Sequence, residues 1–90
     1  MRFKQGDLLQ HFGNIAYSDE GYVHEFRGDK IVYIESVGDD YYKTLVFLGD
    51  RDQWVEKYFY SEEYFEPISP KMYGWFERAI EMLFEGMING

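Results

Sequence analysis

The sequence predicts a mainly β fold: a small, strongly curved antiparallel sheet or barrel of five or six short strands, followed by one C-terminal amphipathic helix. Up to Ile68, short runs rich in β-branched and aromatic residues alternate with turns that contain Gly and Asp. From Ser69 onward, the apolar residues follow helical spacing instead. Ninety residues are enough for one compact domain. We therefore expect a β portion over residues 1–68 and a helix over residues 69–90 that packs on it.

Four strand segments come first along the chain. Residues 7–12 follow the Gly6-Asp7 turn, and after a polar loop Tyr22–Phe26 alternates apolar and polar side chains. Gly28-Asp29 supplies a tight turn, because Gly accepts positive φ and Asp tolerates it. Lys30–Val37 is the strongest predicted strand, since most of its side chains are β-branched or aromatic. After another Gly-Asp turn, residues 43–48 form the fourth strand.

Two further strands and the helix complete the prediction. Residues 54–60 alternate along their length, and residues 64–66 form a short strand that stops at Pro67. Ser69 is the expected helix N-cap and Pro70 the first helical residue. The helix is predicted over residues 70–85, with Gly86 as its stop.

The apolar residues of this helix are spread unusually widely. They cover an arc of about 200°, whereas one core-facing stripe needs about half of that width. We therefore expect the helix to bury one flank in its own domain and to offer another for homodimerisation. The residues predicted for self-association are Trp75, Met82, Phe84 and Met87.

The β portion resembles the small SH3-like barrels. The resemblance rests on Gly6-Asp7-Leu8-Leu9, Gly21-Tyr22-Val23, the hairpin at Gly28-Asp29 and the closing Tyr64-Phe65-Glu66-Pro67-Ile68. It implies a short last strand beside the first. The proline-recognition signature of peptide-binding members is not found, so no binding residues are carried over. The size, acidity, absence of Cys and short C-terminal helix are also similar to small phage-encoded accessory proteins.

Composition narrows the classes of partner. The chain has no Cys, which is typical of a reducing cytoplasm, and no apolar run approaches the roughly 20 residues of a membrane span. We therefore expect a cytoplasmic protein without a membrane partner. Seventeen acids against nine bases give a formal charge of -8. This charge disfavours direct nucleic-acid binding and favours a basic protein surface as partner.

The sequence gives no combination of residues that predicts catalysis. His11 and His24 are not at metal-ligand spacing, and neither belongs to a recognisable triad. The acidic turns at Asp39-Asp40 and Asp50-Arg51-Asp52 do not match a calcium loop. We expect no enzyme activity, no metal site and no cofactor.

The candidate working surface combines tyrosines with acids. Aromatic residues make up 21% of the chain, and the stretch from Asp39 to Glu66 holds 8 acids and 3 bases, a net charge of -5. Tyrosine can lie half in water, which suits a protein interface or a pocket for a cation or nucleotide. The predicted partner-binding residues are Asp39, Asp40, Tyr41, Tyr42, Asp50, Asp52, Tyr58, Tyr60, Glu62, Glu63 and Tyr64.

Two functional hypotheses follow. The first is a non-enzymatic, acidic interaction module that binds a basic protein surface, with a phage-type inhibitor that imitates nucleic acid as its most concrete form. The alternative is a sponge-like pocket for a small ligand or nucleotide, lined by the tyrosines. The simplest interpretation of the same residues is that the aromatic side chains serve packing and the acids serve solubility.

Overall fold

The computed structural model describes residues 2–49 and 51–89, without the side chains of residues 17, 19 and 86–89. The fold is mostly β with one C-terminal helix, as predicted. Its elements in chain order are β1 (Leu8–His11), β2 (Ile15–Asp19), β3 (Tyr22–Phe26), β4 (Lys30–Val37), β5 (Tyr42–Leu48), β6 (Gln53–Phe59), β7 (Phe65–Glu66), a 3₁₀ turn (Pro70–Met72) and α1 (Tyr73–Asn89).

Five strands form one antiparallel sheet in the order β6-β5-β4-β1-β7. The strands β4, β5 and β6 follow one another as a meander, β1 pairs with the other side of β4, and β7 pairs with β1. Among the described strands the sheet is open, with β6 and β7 at its edges. The strand pairings therefore establish a β sheet but not the closed barrel that the resemblance implies.

The segment predicted as a polar loop between the first two strands is a strand. β2 pairs with β3 as a separate hairpin, from Ile15 opposite Phe26 to Asp19 opposite Tyr22. Glu20 and Gly21 form its two-residue turn with φ of 52° and 85°, as a type I′ turn requires. The segment has few β-forming residues, but Ile15 is buried in the core and β3 supplies its main-chain partners. Tertiary pairing thus decided its structure.

Both faces of the five-stranded sheet are covered. On one face Ile31 and Phe47 pack against Met72 and Ala79 of the C-terminal helical segment. On the other face the hairpin residue Ile15 joins a core contributed mainly by the sheet, and that core consists of Leu9, Val32, Ile34, Tyr42, Val46 and Phe65. The molecule therefore has three layers, in the order hairpin, sheet and helix.

The start and end of the helix differ from the prediction. The Ser69 hydroxyl and its N–H both donate to Gln10 Oε1, at 2.9 and 2.8 Å, so the hydroxyl does not cap the helix. α1 continues through Gly86 to Asn89, because one Gly in a helix costs only about 1 kcal/mol. Within the described chain, no helix combines the length and apolarity needed to cross a membrane.

The contact between Gly49 and Trp75 holds the first turns of α1 against the end of β5. A Cβ atom at Gly49 would lie 2.5 Å from the Trp75 ring. We expect Gly49→Ala to lower the free energy of unfolding by about 1 to 3 kcal/mol, because the ring must move in a packed contact. Chemical denaturation followed by Trp fluorescence measures this loss.

Gly74→Ala provides the matched control for that substitution. A Cβ atom there has no neighbour within 4 Å, and Ala favours a helix over Gly by about 0.5 to 1 kcal/mol. We therefore expect this variant to be unchanged or more stable. Equal destabilisation by both substitutions would show that the Gly49–Trp75 contact has no special role.

Candidate functional site

Three of the predicted tyrosines come together at one end of the sheet. Tyr41 precedes β5, Tyr58 lies near the end of β6, and Tyr60 follows that strand. The Tyr41 ring centroid lies 5.6 Å from that of Tyr58 and 6.4 Å from that of Tyr60, with interplanar angles of 63° and 58°. Tyr58 is 44% exposed and Tyr60 72% exposed. We call Tyr41, Tyr58 and Tyr60 the tyrosine patch.

The position of the Tyr41 ring depends on Gly38 in the β4–β5 turn. The Gly38 N–H donates to the Tyr41 carbonyl at 2.9 Å, which closes the turn. A Cβ atom at Gly38 would lie only 2.2 Å from the Tyr41 ring. Glycine is therefore required here so that the ring can lie over the turn and reach the two other tyrosines.

Negative charge surrounds the tyrosine patch. Asp39 and Asp40 are exposed in the turn directly before Tyr41. Lys43 lies opposite Tyr58 across the β5–β6 pair, and its Nζ is 3.3 Å from Glu35 and 3.8 Å from Glu56. These two carboxylates raise the pKa of Lys43. Because Lys43 is shared between these two acids, the three residues together with Asp39 and Asp40 carry a net negative charge.

Tyr42 is part of the core and does not belong to this surface. It is 1% exposed, because side chains alternate along β5 and place it on the face opposite Lys43. Its hydroxyl donates to Glu62 and accepts the Phe3 N–H at 3.2 Å. Burial, followed by the bond with Glu62, raises the pKa of Tyr42.

Glu62 has a structural role in the same network. Besides the Tyr42 hydroxyl, its carboxylate accepts the Arg2 N–H at 3.1 Å. These hydrogen bonds lower the pKa of Glu62, with the Tyr42 bond as the largest cause. Glu62 therefore ties the N-terminal segment to β5, and a partner would have to compete for it.

The other predicted partner residues lie apart from the tyrosine patch. Asp52 is bound by Arg78 of α1 through two bonds of 2.9 and 2.6 Å, which lower the pKa of Asp52 and raise that of Arg78. Asp50 lies outside the described residues. Tyr64 packs against His11 and Phe12, and Glu63 is exposed beside it. The structure thus groups Asp39, Asp40 and the tyrosine patch.

The residues predicted for self-association do not form one surface. At 100° per residue, Phe84 points about 180° away from Trp75, whereas Met82 lies within about 20° of Trp75. Trp75 covers Gly49, and Met82 packs on the core between helix and sheet. Phe84 is 55% exposed, and the side chain of Met87 lies outside the described residues. The wide apolar arc is therefore partly explained by packing within the chain, and homodimerisation stays a prediction.

Lys30 and His11 are two buried bases that share a structural role, and the sequence did not predict this role. Lys30 is buried, and its Nζ donates to the Gly13 carbonyl at 2.5 Å and to the Gly28 carbonyl. His11 is also buried, and its Nδ1 lies 3.1 Å from the same Gly13 carbonyl. Burial lowers the pKa of both groups, that of His11 to about 4. These side chains fix the loop at Gly13 and the turn at Gly28, and nothing in their spacing indicated it.

The larger of two described cavities is a groove of about 600 Å³ along β6. The smaller has about 270 Å³ and lies between the Gly28 turn and Trp75. Of the tyrosines between residues 41 and 64, only Tyr58 lines either of these cavities. Within the described part of the chain, no three His, Asp or Glu side chains are placed to hold a metal ion.

No protein-family model, curated protein or solved structure matches this chain in comparisons with each. Function must therefore be inferred from the surfaces themselves.

Proposed function

We propose that this protein is a non-enzymatic interaction module that binds a basic surface of another protein through the tyrosine patch and its acids. The contact of the half-buried Tyr41 ring with the exposed rings of Tyr58 and Tyr60, beside Asp39 and Asp40, is the observation that supports this function. Tyrosine is enriched among the residues that dominate binding energy at interfaces. Carboxylates add long-range attraction and raise the association rate with a basic partner.

The most concrete form of this proposal is a phage-type inhibitor that competes with nucleic acid. In this mechanism the carboxylates take the place of phosphates in the groove of a host protein, and the tyrosines anchor the complex. The formal charge of -8 supports this form. The scaffold would be a variant of the SH3-like barrel with β1 and β7 as neighbours and with open edges, and the Cys-free sequence supports action in the cytoplasm.

Capture of the partner by tagged protein in extracts of the source cell tests this function. We expect Tyr58→Ser/Tyr60→Ser to lose the partner that the unchanged chain retains, because truncated anchors at an interface cost about 2 kcal/mol or more each. Tyr22→Ser is the matched control, since Tyr22 is as exposed as Tyr60 but lies on the hairpin. Equal retention by all three proteins would contradict a role for the tyrosine patch.

Two further variants separate the parts of the proposed mechanism. Gly38→Ala displaces the Tyr41 ring. Because the variant keeps every tyrosine and every charge, we expect weaker binding that comes only from the changed position of this ring. Asp39→Asn/Asp40→Asn is expected to slow association with the partner more than it speeds dissociation. The affinity of the unchanged protein for the partner should fall steeply as the salt concentration rises. A partner affinity that is the same at low and high ionic strength would rule out the electrostatic contribution.

The alternative of a small-ligand pocket receives no comparable support. A ligand site needs a cavity that encloses most of the ligand and is lined by several converging groups. Neither described cavity is lined by more than one of the tyrosines between residues 41 and 64. The interaction module is therefore the function that we propose.

A further inference from the structure

The outer side of β6 has no strand beside it among the described strands. β6 runs over seven residues, Gln53–Phe59, and pairs on its inner side with β5 throughout. Along an edge strand, alternate residues direct their N–H and C=O groups outward, where another polypeptide can pair with them. The edge therefore offers a set of main-chain donors and acceptors that only an extended chain can use together.

A groove runs along this edge. The groove of about 600 Å³ runs along β6, and its second wall is the β2–β3 hairpin, which contributes Ala16, Ser18 and Val23. Ala16 and Ser18 are exposed, and Val23 is 75% exposed, although it is a β-branched apolar residue in a strand. A strand laid along β6 would cover these side chains.

The groove side of β6 differs in charge from the rest of the molecule. Gln53, Val55 and Lys57 alternate along the strand on the face toward the hairpin, and Arg51 lines the same groove. The acid among the lining residues, Glu56, points to the other face, where it pairs with Lys43 at 3.8 Å. The groove therefore presents bases and valines in a chain whose formal charge is -8.

We propose that the β6 edge binds an extended segment of a partner protein as an added strand. Its main chain pairs with β6, its alternate side chains are apolar and cover Val23 and Val55, and an acidic side chain meets Lys57. Strand addition is an established mode in which main-chain bonds give affinity and alternate side chains give specificity. The site is independent of the proposed function, although Tyr58 belongs to both surfaces.

A second copy of this chain fits the edge less well. Full-length antiparallel pairing of β6 with itself would be centred on Glu56, the middle residue of the strand. The two Glu56 carboxylates would then stand directly opposite each other, and like charges in that position destabilise a strand pair. A partner segment with apolar and acidic residues avoids this repulsion.

A random octapeptide library, displayed and selected on the full chain, tests the proposal. The tightest peptide is then synthesised with one N-methyl group at each position in turn. We expect N-methylation at every second residue to lower affinity about three- to tenfold, and at the residues between them much less, because only one edge of the peptide pairs with β6. Amide exchange should show new protection at alternate residues of Gln53–Phe59.

Charge reversal at Lys57 provides a second measurement with a matched control. We expect Lys57→Glu to weaken the selected peptide about tenfold and Lys4→Glu, which changes net charge equally at an exposed site outside the groove, less than about twofold. Tyr60→Ser should leave peptide binding unchanged. The proposal for the β6 edge and the proposal for the tyrosine patch can therefore be tested independently of each other. The proposal is overturned if no peptide is enriched, if N-methylation acts uniformly, or if protection appears outside β6.

Discussion

Phe47→Ala is expected to lower the free energy of unfolding by about 3 to 5 kcal/mol, the cost typical of removing a buried aromatic side chain. Phe47 is 2% exposed and lies between β5 and the helix, in a cluster with Ile31, Met72 and Ala79. Its ring centroid lies 5.4 Å from that of Trp54, whose Nε1 donates to the Ala79 carbonyl at 3.0 Å. The substitution therefore weakens both the sheet core and the attachment of α1.

Urea denaturation followed by circular dichroism measures this loss. Phe84→Ala is the matched control, because it removes the same atoms from a side chain of α1 that is 55% exposed. We expect its cost to stay below about 1 kcal/mol, as for a surface position. If Phe47→Ala lowers the free energy of unfolding only slightly, or if the two variants lower it equally, then α1 and the sheet do not share one core.

Protonation of His11 is expected to remove up to about 3 kcal/mol of stability as the pH falls from 6.5 to 4. Burial and the nearby charges of Lys30 and Lys57 lower the pKa of His11 from 6.5 to about 4 in the folded protein. Over this range the unfolded chain binds the proton and the folded chain does not. Stability therefore decreases as the pH decreases, at about 1.4 kcal/mol per pH unit.

Two measurements check the behaviour of His11. Its ring resonances should titrate by NMR with a midpoint near 4. The unfolding free energy of His11→Gln should lose most of the pH dependence between 6.5 and 5, above the range in which the lowered pKa values of Asp52 and Glu62 act. His24→Gln is the control, and its unfolding free energy should keep the pH dependence that His11 causes. A midpoint near 6.5 would contradict the buried, neutral state of His11.

The molecule presents two surfaces of different chemistry. The tyrosine patch is aromatic and lies beside Asp39 and Asp40, which suits a basic folded partner. The groove beside β6 follows a strand that has no outer neighbour among the described strands, and Arg51 and Lys57 line it, which suits an extended partner segment. Tyr58 lies where the two surfaces meet, so one partner protein with a basic domain and an extended tail would satisfy both proposals.

Much of the secondary structure was predictable because local chemistry determines it. Tyr22–Phe26 and Lys30–Val37 were predicted with the bounds that the structure has, since the first alternates, the second is rich in β-branched and aromatic residues, and Gly-containing turns end both segments. The single C-terminal helix followed from the change to helical spacing after Ser69. β2 was missed because Ala16, Ser18 and Asp19 are weak β-forming residues, and its conformation depends on pairing with β3.

The candidate site was predicted only as a stretch of sequence. Alternation tells that Tyr41 and Tyr42 point to opposite faces, but not which face stays open, because both faces of this sheet are covered over much of their area. The hairpin and the N-terminal segment bury Tyr42, whereas Tyr41 lies at the uncovered end with Tyr58 and Tyr60.

The sequence by itself thus determined the β-rich fold, the helix and the acidic, tyrosine-rich segment, because periodicity, turn residues and charge are local properties. Tertiary structure alone decided which tyrosines lie together at the surface, which acids are held by Arg78 or Tyr42, and which strands lie at the edges of the sheet. Those outcomes depend on contacts between residues far apart in the chain, such as Asp52 with Arg78 and Tyr42 with Glu62. Local patterns carry no information about such pairs, since packing selects them only when the whole chain folds.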